Sequence, residues 1–341
     1  MVDKIIKEFA SKGVVCVLTP DNYPQKKNVY RYSTDRNFEE ILKLVKKQNI
    51  DVINCHTFYL ADLAIYLSKE LQKPLVFTLH GVFIKYYGEK YRELLRKIYD
   101  NSDKIITVSD NYRNSLSKYI RDVSKIITIK NGIDLEPIDS LNKAKEYYRD
   151  KNKIPLNKFV IVVPARLTYI KGLDYLIKAL NKIKDKEILV FICSPKGRKN
   201  KEEVVYKNKL KSVLHNNLPI LRFKYLDNGE MFEYYKSADL VLLPSLIEGI
   251  SISILEAMAF SKTIVTTDVG GNPEVIDNKR DGYLIKPRSS KAIFDVIRQI
   301  KENDNILIGK SARKKVEKDF LSSKMFNDYY KVFKQVIYEN K

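Results

Sequence analysis

The sequence predicts an α/β protein built of two consecutive doubly wound layers, on three observations. Short β-branched runs alternate with longer segments whose apolar residues recur every three or four positions, the mark of parallel strands joined by crossover helices. A polar stretch with Pro137 and Pro155 at its ends interrupts this alternation once. At 341 residues the chain is too long for one ordinary core and suits two domains of roughly 150 residues each.

Taken in order, MVDKIIKEFASKG reads as a helix ending at Gly13 and runs directly into a strand over Val14–Leu18. The strand that should open a doubly wound layer is therefore absent ahead of it, so the N-terminal domain is expected to lack its first strand. In the usual 3-2-1-4-5-6 order that strand is central, and its loss leaves two neighbours without backbone partners. The expectation is that residues upstream, or another segment, fill the gap. Helices over Phe38–Lys47 and Leu60–Leu71 then alternate with strands over Val52–Cys55, Leu75–Thr78, Ile105–Val108 and Ile126–Ile129. The polar run Leu135–Lys158 reads as a linker carrying a short helix. A second series of strands follows over Phe159–Pro164, Leu189–Ile192, Leu221–Phe223, Leu240–Leu243, Thr263–Thr267 and Tyr283–Ile285, and the amphipathic Ser323–Ile337 reads as a terminal helix. The expected domains are 1–150 and 151–322, with 323–341 packing back toward the N-terminal domain. Open α/β sheets bind ligands at the carboxyl ends of their strands, so the site is expected in a cleft between the halves.

Composition narrows the chemistry. There are 62 basic and 42 acidic side chains, a net charge of +20, which favours an anionic partner: a phosphorylated metabolite, nucleic acid or an anionic membrane surface. A hydrophobic fraction of 44% excludes a disordered chain. Cys16, Cys55 and Cys193 lie in apolar runs with neither disulfide nor zinc spacing, as core residues of a reducing compartment do. No secretory h-region and no apolar run near the roughly 18 residues of a membrane span is present, so a cytoplasmic protein is expected. G-x-G-x-x-G and P-loop motifs are absent, as is any Asp-x-Asp pair for a divalent ion, and His56, His80 and His215 are dispersed. No metal and no cofactor is expected.

One stretch stands out, PSLIEGISISILEAMA over Pro244–Ala259. With a helix starting near Ser251, Glu248 and Gly249 fall on the turn, and the amides of Ile250, Ser251 and Ile252 point out of the helix N-terminus. Unsatisfied N–H groups and the helix dipole make that an anion site. Glu256, one to two turns in, can accept hydrogen bonds from a vicinal pair of sugar hydroxyls. Read plainly, the same stretch is a helix with an acidic entrance and one exposed glutamate.

Together with ARLTYIKGLDYLIKAL, THG, TVSD, KNGID and TDVGGNPEVI, this stretch resembles the retaining glycosyltransferases of family GT4, the glycosyl transferases group 1, and the likeness covers nearly the whole chain. Their hallmark is the E-x7-E spacing seen from Glu248 to Glu256. The resemblance implies a GT-B fold, two Rossmann-like domains facing a central cleft, and an enzyme moving a sugar from a nucleoside diphosphate sugar to a hydroxyl acceptor without metal. It implies that Arg166 and Lys171 grip the donor diphosphate and that Glu256 binds the donor ribose. Glu248, with the amides of Gly249, Ile250 and Ser251, would hold the transferred sugar and its phosphate, and His80 would face the anomeric centre. Asn131 is placed at the cleft and Ser109 on the acceptor side.

Several of these residues also have structural readings. Ser109 suits the cap of a helix beginning near Asn111, Asn131-Gly132 a turn with positive φ, and Asn272-Pro273-Glu274 a cap, a helix start and a dipole partner. Departures from the family pattern matter too. Ile250 and Ser251 stand where an aromatic residue and a glycine are usual, which reshapes the sugar pocket. The basic loop SPKGRKNK at Ser194–Lys201 replaces a common Gly-rich turn and leaves the base open among uracil, guanine and adenine. The lost opening strand takes its Gly-rich loop with it, which motivates a second reading as a nucleotide-sugar-binding protein impaired in transfer. A third, nucleic-acid binding, rests on charge alone, without RNP pattern or finger spacing. Val82–Ile98, rich in Lys, Arg, Tyr and Leu, could lie against anionic lipid as peripheral contact for a lipid-linked acceptor, or be a solvated helix face.

Overall fold

Short apolar and β-branched runs become strands, and in the second half of the chain six of them form one parallel sheet whose central members are buried on both faces. The computed structural model of the chain describes residues 2–11, 15–19, 29–33, 37–81, 84–120, 122–197, 201–215, 220–303 and 305–340. Gly13, Val14, Val82, Phe83 and residues 198–200 of the sequence reading lie outside them.

The strands of the first half are β1 (Val15–Thr19), β2 (Val29–Ser33), β3 (Ile53–Cys55), β4 (Leu75–Leu79), β5 (Lys104–Thr107) and β6 (Ile126–Thr128). Those of the second are β7 (Phe159–Pro164), β8 (Ile188–Pro195), β9 (Ile220–Leu226), β10 (Leu240–Leu243), β11 (Thr263–Thr267) and β12 (Tyr283–Ile285). The chain divides into two compact units, Met1–Asn131 with Ser323–Lys341, and Gly132–Ser322.

In the second unit the strand order is β12-β11-β10-β7-β8-β9, the 3-2-1-4-5-6 order of a doubly wound Rossmann-like layer read from its other edge. Alternate side chains feed opposite faces. Val160, Val162, Val241 and Leu243 join one apolar cluster, whereas Ile161, Val163, Leu240 and Leu242 join the other. In the first unit β3-β4-β5-β6 make a four-stranded parallel sheet, and among the described residues β1 pairs with β2 in a separate two-stranded one. The strand β2 was not foreseen, because VYRYS lacks the unbroken apolar run of a buried parallel strand. One face of the larger sheet packs Phe77 and Ile105 against Leu95 and Ile98. The other packs Val76 and Ile106 against Met325, Tyr329 and Val336 of the last helix, Ser322–Glu339. Two parallel-sheet units of this kind constitute the GT-B fold. Among the described residues no helix is long and apolar enough to cross a membrane.

Two expectations are corrected. The division falls between Asn131 and Gly132 and not at residue 150, because residues 132–158 are packed onto the second unit. Their helices Glu136–Asp139 and Lys145–Lys151 carry Arg149, which is buried. Its Nε donates to the Ser237 carbonyl at 3.0 Å and its Nη1 to the carbonyls of Leu156 and Lys158. Its Nη2 donates to Asp239 Oδ2 at 2.6 Å. Gly132 does not take the positive φ expected of a turn. It is small because a Cβ there would lie 2.5 Å from the Leu321 carbonyl oxygen, where Ile133 and Leu321 bridge in parallel.

Arg149→Leu removes one of the two cations on the half-buried Asp239 carboxylate, which keeps Lys145 at 2.8 Å, and strands three carbonyls. We expect a loss of about 3 kcal/mol, read as a lower urea midpoint; an unchanged midpoint would show that 132–158 is a passive linker.

Candidate functional site

A doubly wound sheet opens a crevice where its strand order reverses, and here that switch point lies between β10 and β7, paired through Leu240 and Ile161. The loops leaving the carboxyl ends of these two strands carry the predicted donor residues. After β7 come exposed Arg166 and the 3-10 turn Tyr169–Lys171, which ends at Gly172 with φ of 65°. After β10 come residues 244–251 and the helix Ile252–Ala259, with Ser251 at its N-cap. The helix thus starts where the sequence places it.

The two loops are tied at backbone level. Leu246 N donates to the Ile170 carbonyl at 2.7 Å, and a Cβ on Gly172 would sit 2.0 Å from the Pro244 carbonyl oxygen. A third loop closes from the other side, after β11. Gly270 has φ of 55° and its Cβ would lie 1.8 Å from the Glu248 carbonyl oxygen, while Gly271 N donates to the Gly249 carbonyl at 2.9 Å. Only glycine satisfies both the left-handed φ and that approach. Thr267 Oγ1 adds a hydrogen bond to the Ser245 carbonyl at 2.5 Å.

This clamp sets Glu248 beside Lys171. Glu248 is buried, and its Oε1 accepts from Lys171 Nζ at 2.5 Å and from Ser245 Oγ at 2.6 Å. The ion pair joins two residues that the resemblance had assigned separately, one to phosphate and one to sugar. Arg166 enters no ion pair with a described residue. The side chain of Ile250 is buried in the core, so what it offers the site is backbone. Glu256, half-buried on the same helix, accepts from the Tyr235 hydroxyl at 3.3 Å. Burial and the Glu256 carboxylate push the Tyr235 phenol well upward, which keeps it a donor. Ser245 and Tyr235 escaped the sequence reading, since neither carries a local pattern.

In the first unit His80 follows β4, and the fold brings it to His56, whose dispersal in sequence had hidden the pair. His56 Nδ1 lies 3.0 Å from His80 Nε2 and the rings stack at 22°. Burial lowers both, His80 to about 4 and His56, with the added repulsion of His80, to about 3. Among the described residues no group of three or more His, Cys, Asp or Glu is arranged to hold a metal ion. Ser109 is fully buried and accepts from Tyr112 N at 3.2 Å, capping the helix Asp110–Leu116. Asn131 is buried at the boundary of the unit.

Asn272 is not a cap. It is the first residue of the helix Asn272–Val275, with Gly271 at the N-cap, and its amide instead donates to Thr266 Oγ1 and the Thr267 carbonyl, tying the helix to β11. In the basic loop Lys196 is paired with Asp227 and Glu230. The described part of the stretch 82–98 lies in the helix Ile84–Asn101 and buries Tyr91, Leu95 and Ile98 in the core, so these apolar residues are not free to enter a lipid surface.

The comparisons with known proteins bear on the family and the fold. Residues 144–318 match the family Glycosyl transferases group 1, and residues 7–137 match Glycosyltransferase Family 4. An uncharacterised glycosyltransferase of Methanocaldococcus jannaschii is 27% identical over 267 residues, covering 75% of this chain and 67% of that one. The N-acetyl-alpha-D-glucosaminyl L-malate synthase of Bacillus anthracis is 25% identical over 315 residues, 89% of this chain and 79% of that one. Against another relative, from Bacillus subtilis, the chain spans 63% of the length. An Anabaena protein crystallised with UDP-glucose shares the fold with a TM-score of 0.86, covering 98% of this chain and 94% of that one at 16% identity.

Gly270→Ala should loosen the clamp on Glu248 at a cost of about 1–3 kcal/mol. Gly229→Ala, in the helix Asn228–Ser237 where a Cβ would meet nothing nearer than 3.6 Å, should be neutral or slightly stabilising. Equal denaturation midpoints for the two variants would refute the steric account.

Proposed function

Because the chain belongs to the glycosyl transferases group 1 and is a sugar-transferring enzyme, we propose that it moves a sugar from a nucleoside diphosphate sugar to a hydroxyl acceptor, with retention and without bound metal. The observation that carries this reading is the Lys171–Glu248 pair, held with Arg166 and a helix N-terminus at the switch point between β7 and β10.

In this reading the donor diphosphate lies against Arg166, Lys171 and the first amides of the helix Ile252–Ala259. Those groups meet the negative charge that grows on the leaving nucleoside diphosphate, the role a divalent ion would otherwise fill. Lys171 is shared between phosphate and Glu248, so donor binding relieves a buried carboxylate of part of its counter-charge just where sugar hydroxyls arrive to donate. Glu256 takes the ribose hydroxyls, with Tyr235 holding its carboxylate. Glu248 Oε1 already accepts two hydrogen bonds, which suits a residue that orients the sugar and stabilises oxocarbenium character more than one that attacks it. Front-face displacement follows: the acceptor oxygen bonds to the anomeric carbon on the side from which phosphate departs, and its proton passes to the departing phosphate. His80 contributes an N–H donor to the transferred sugar. The acceptor is a hydroxyl on a glycan, a lipid-linked sugar or a small molecule.

Calorimetric titration with UDP, GDP and ADP, each with and without EDTA, tests the donor half. One nucleotide is expected to bind irrespective of EDTA, and Glu256→Ala should weaken it by about 1.5–3 kcal/mol, roughly 10- to 150-fold. Binding abolished by EDTA would overturn metal independence. No binding by folded wild type would overturn the site itself.

A further inference from the structure

A line of polar side chains runs through the first unit and ends on His80. Tyr329, on the last helix, donates its hydroxyl to Thr78 Oγ1 at 3.5 Å. Burial pushes the Tyr329 phenol up to about 12, so it remains a donor. Thr78 Oγ1 donates in turn to Asn54 Oδ1 at 3.2 Å. With the amide oxygen so engaged, Asn54 Nδ2 is the atom that faces His56 Nε2, at 2.8 Å. An amide nitrogen only donates, so His56 Nε2 must accept. A neutral imidazole carries one N–H, which leaves the His56 proton on Nδ1, the atom 3.0 Å from His80 Nε2. His80 Nε2 is then the acceptor, and its own proton is on Nδ1.

We infer that His56, oriented by Asn54, is a positioning residue that holds His80 as the Nδ1–H tautomer, leaving that N–H as the donor His80 offers to the transferred sugar. This rests on the reading of His80 as a group facing the sugar. The relay requires both rings neutral, and their stacked contact provides for it, because two imidazolium cations with centroids 5.3 Å apart in a half-buried site repel. It also explains why a histidine and an asparagine stand two apart on β3 and just beyond it. The step from Asn54 to His56 skips Cys55, whose buried side chain points to the core, so both polar groups emerge on one side of the strand.

Long-range 1H–15N correlation of the imidazoles in the full chain, assigned with His56→Gln and His80→Gln, reads the tautomers directly. Wild-type His80 is expected as Nδ1–H and neutral down to about pH 4; His80 found as Nε2–H overturns the inference, the tautomer being read on the wild type and the variants serving to assign its signals. A second arm uses transfer kinetics with the nucleotide sugar whose nucleotide the titrations select. His56→Phe keeps the stacked ring but has no donor, so His80 should shift toward Nε2–H, and kcat should fall at least about tenfold, short of the 10²–10³ for losing a whole transition-state donor. KM for the donor sugar should change little, and His56→Gln, whose amide can still donate, should recover most of kcat. Identical tautomer and kcat in wild type and His56→Phe overturn the inference. Wild-type kcat in His80→Gln would instead be a failure of the functional reading of His80, with an Nδ1–H spectrum still supporting the relay.

Discussion

Two glycine-bearing loops press on residues 244–249 so closely that no side chain fits at the contacts. Gly172 meets the Pro244 carbonyl and Gly270 the Glu248 carbonyl, each with a left-handed φ, and the hydrogen bonds from Leu246 N and Gly271 N fasten the same segment from both sides. Three strands, β7, β10 and β11, thereby fix one short turn. The consequence is electrostatic. A carboxylate as buried as Glu248 is costly unless paired and hydrogen-bonded, and the clamp delivers both Lys171 and Ser245 to the same oxygen. The helix that follows starts from a backbone already held in place, so in the proposed reading its N-terminal amides meet the donor phosphate without having to be ordered by it.

The first unit solves a different problem, that of holding a histidine by its side-chain partners. Its sheet is covered on one face by the last helix of the chain, which re-enters the unit after the whole of the second unit has been built. That helix supplies Tyr329 at the head of the polar line ending at His80. Folding of the His80 surroundings is accordingly coupled to the helix Ser322–Glu339, a contact of high sequence separation.

Charge has two distributions in this molecule. Many described ion pairs are exposed on both sides, such as Lys291 with Asp295 or Arg298 with Glu302, and pairs of that kind contribute little. A few are largely buried, among them Arg149 with Asp239, Lys171 with Glu248 and Lys315 with Asp281. The excess of 62 basic over 42 acidic side chains leaves the surface positive, which raises the local concentration of an anionic substrate at modest ionic strength without selecting it. Selection lies with the few groups that the folded loops orient.

How much of this was legible depended on how local the signal was. β7, β10, β11 and β12 were read to the residue, since buried parallel strands are short apolar or β-branched runs bounded by polar or turn residues. The helix start beside Glu248 and the Ser109 cap were legible for the same reason: spacing and cap chemistry act within one turn. The family resemblance, carried by motifs at strand ends, was legible in the order of those motifs, and the fold agrees with it. What the tertiary structure alone decided were contacts between positions whose separation has no local trace. Lys171 meets Glu248 across 77 residues, His56 meets His80 across 24, and Tyr329 meets Thr78 across 251. Strand order and register set those partners, and neither is written in periodicity. Gly132 shows the difference at one atom: the sequence marks a position that tolerates no side chain, but whether the cause is a positive φ or a neighbouring backbone depends on where Leu321 comes to rest.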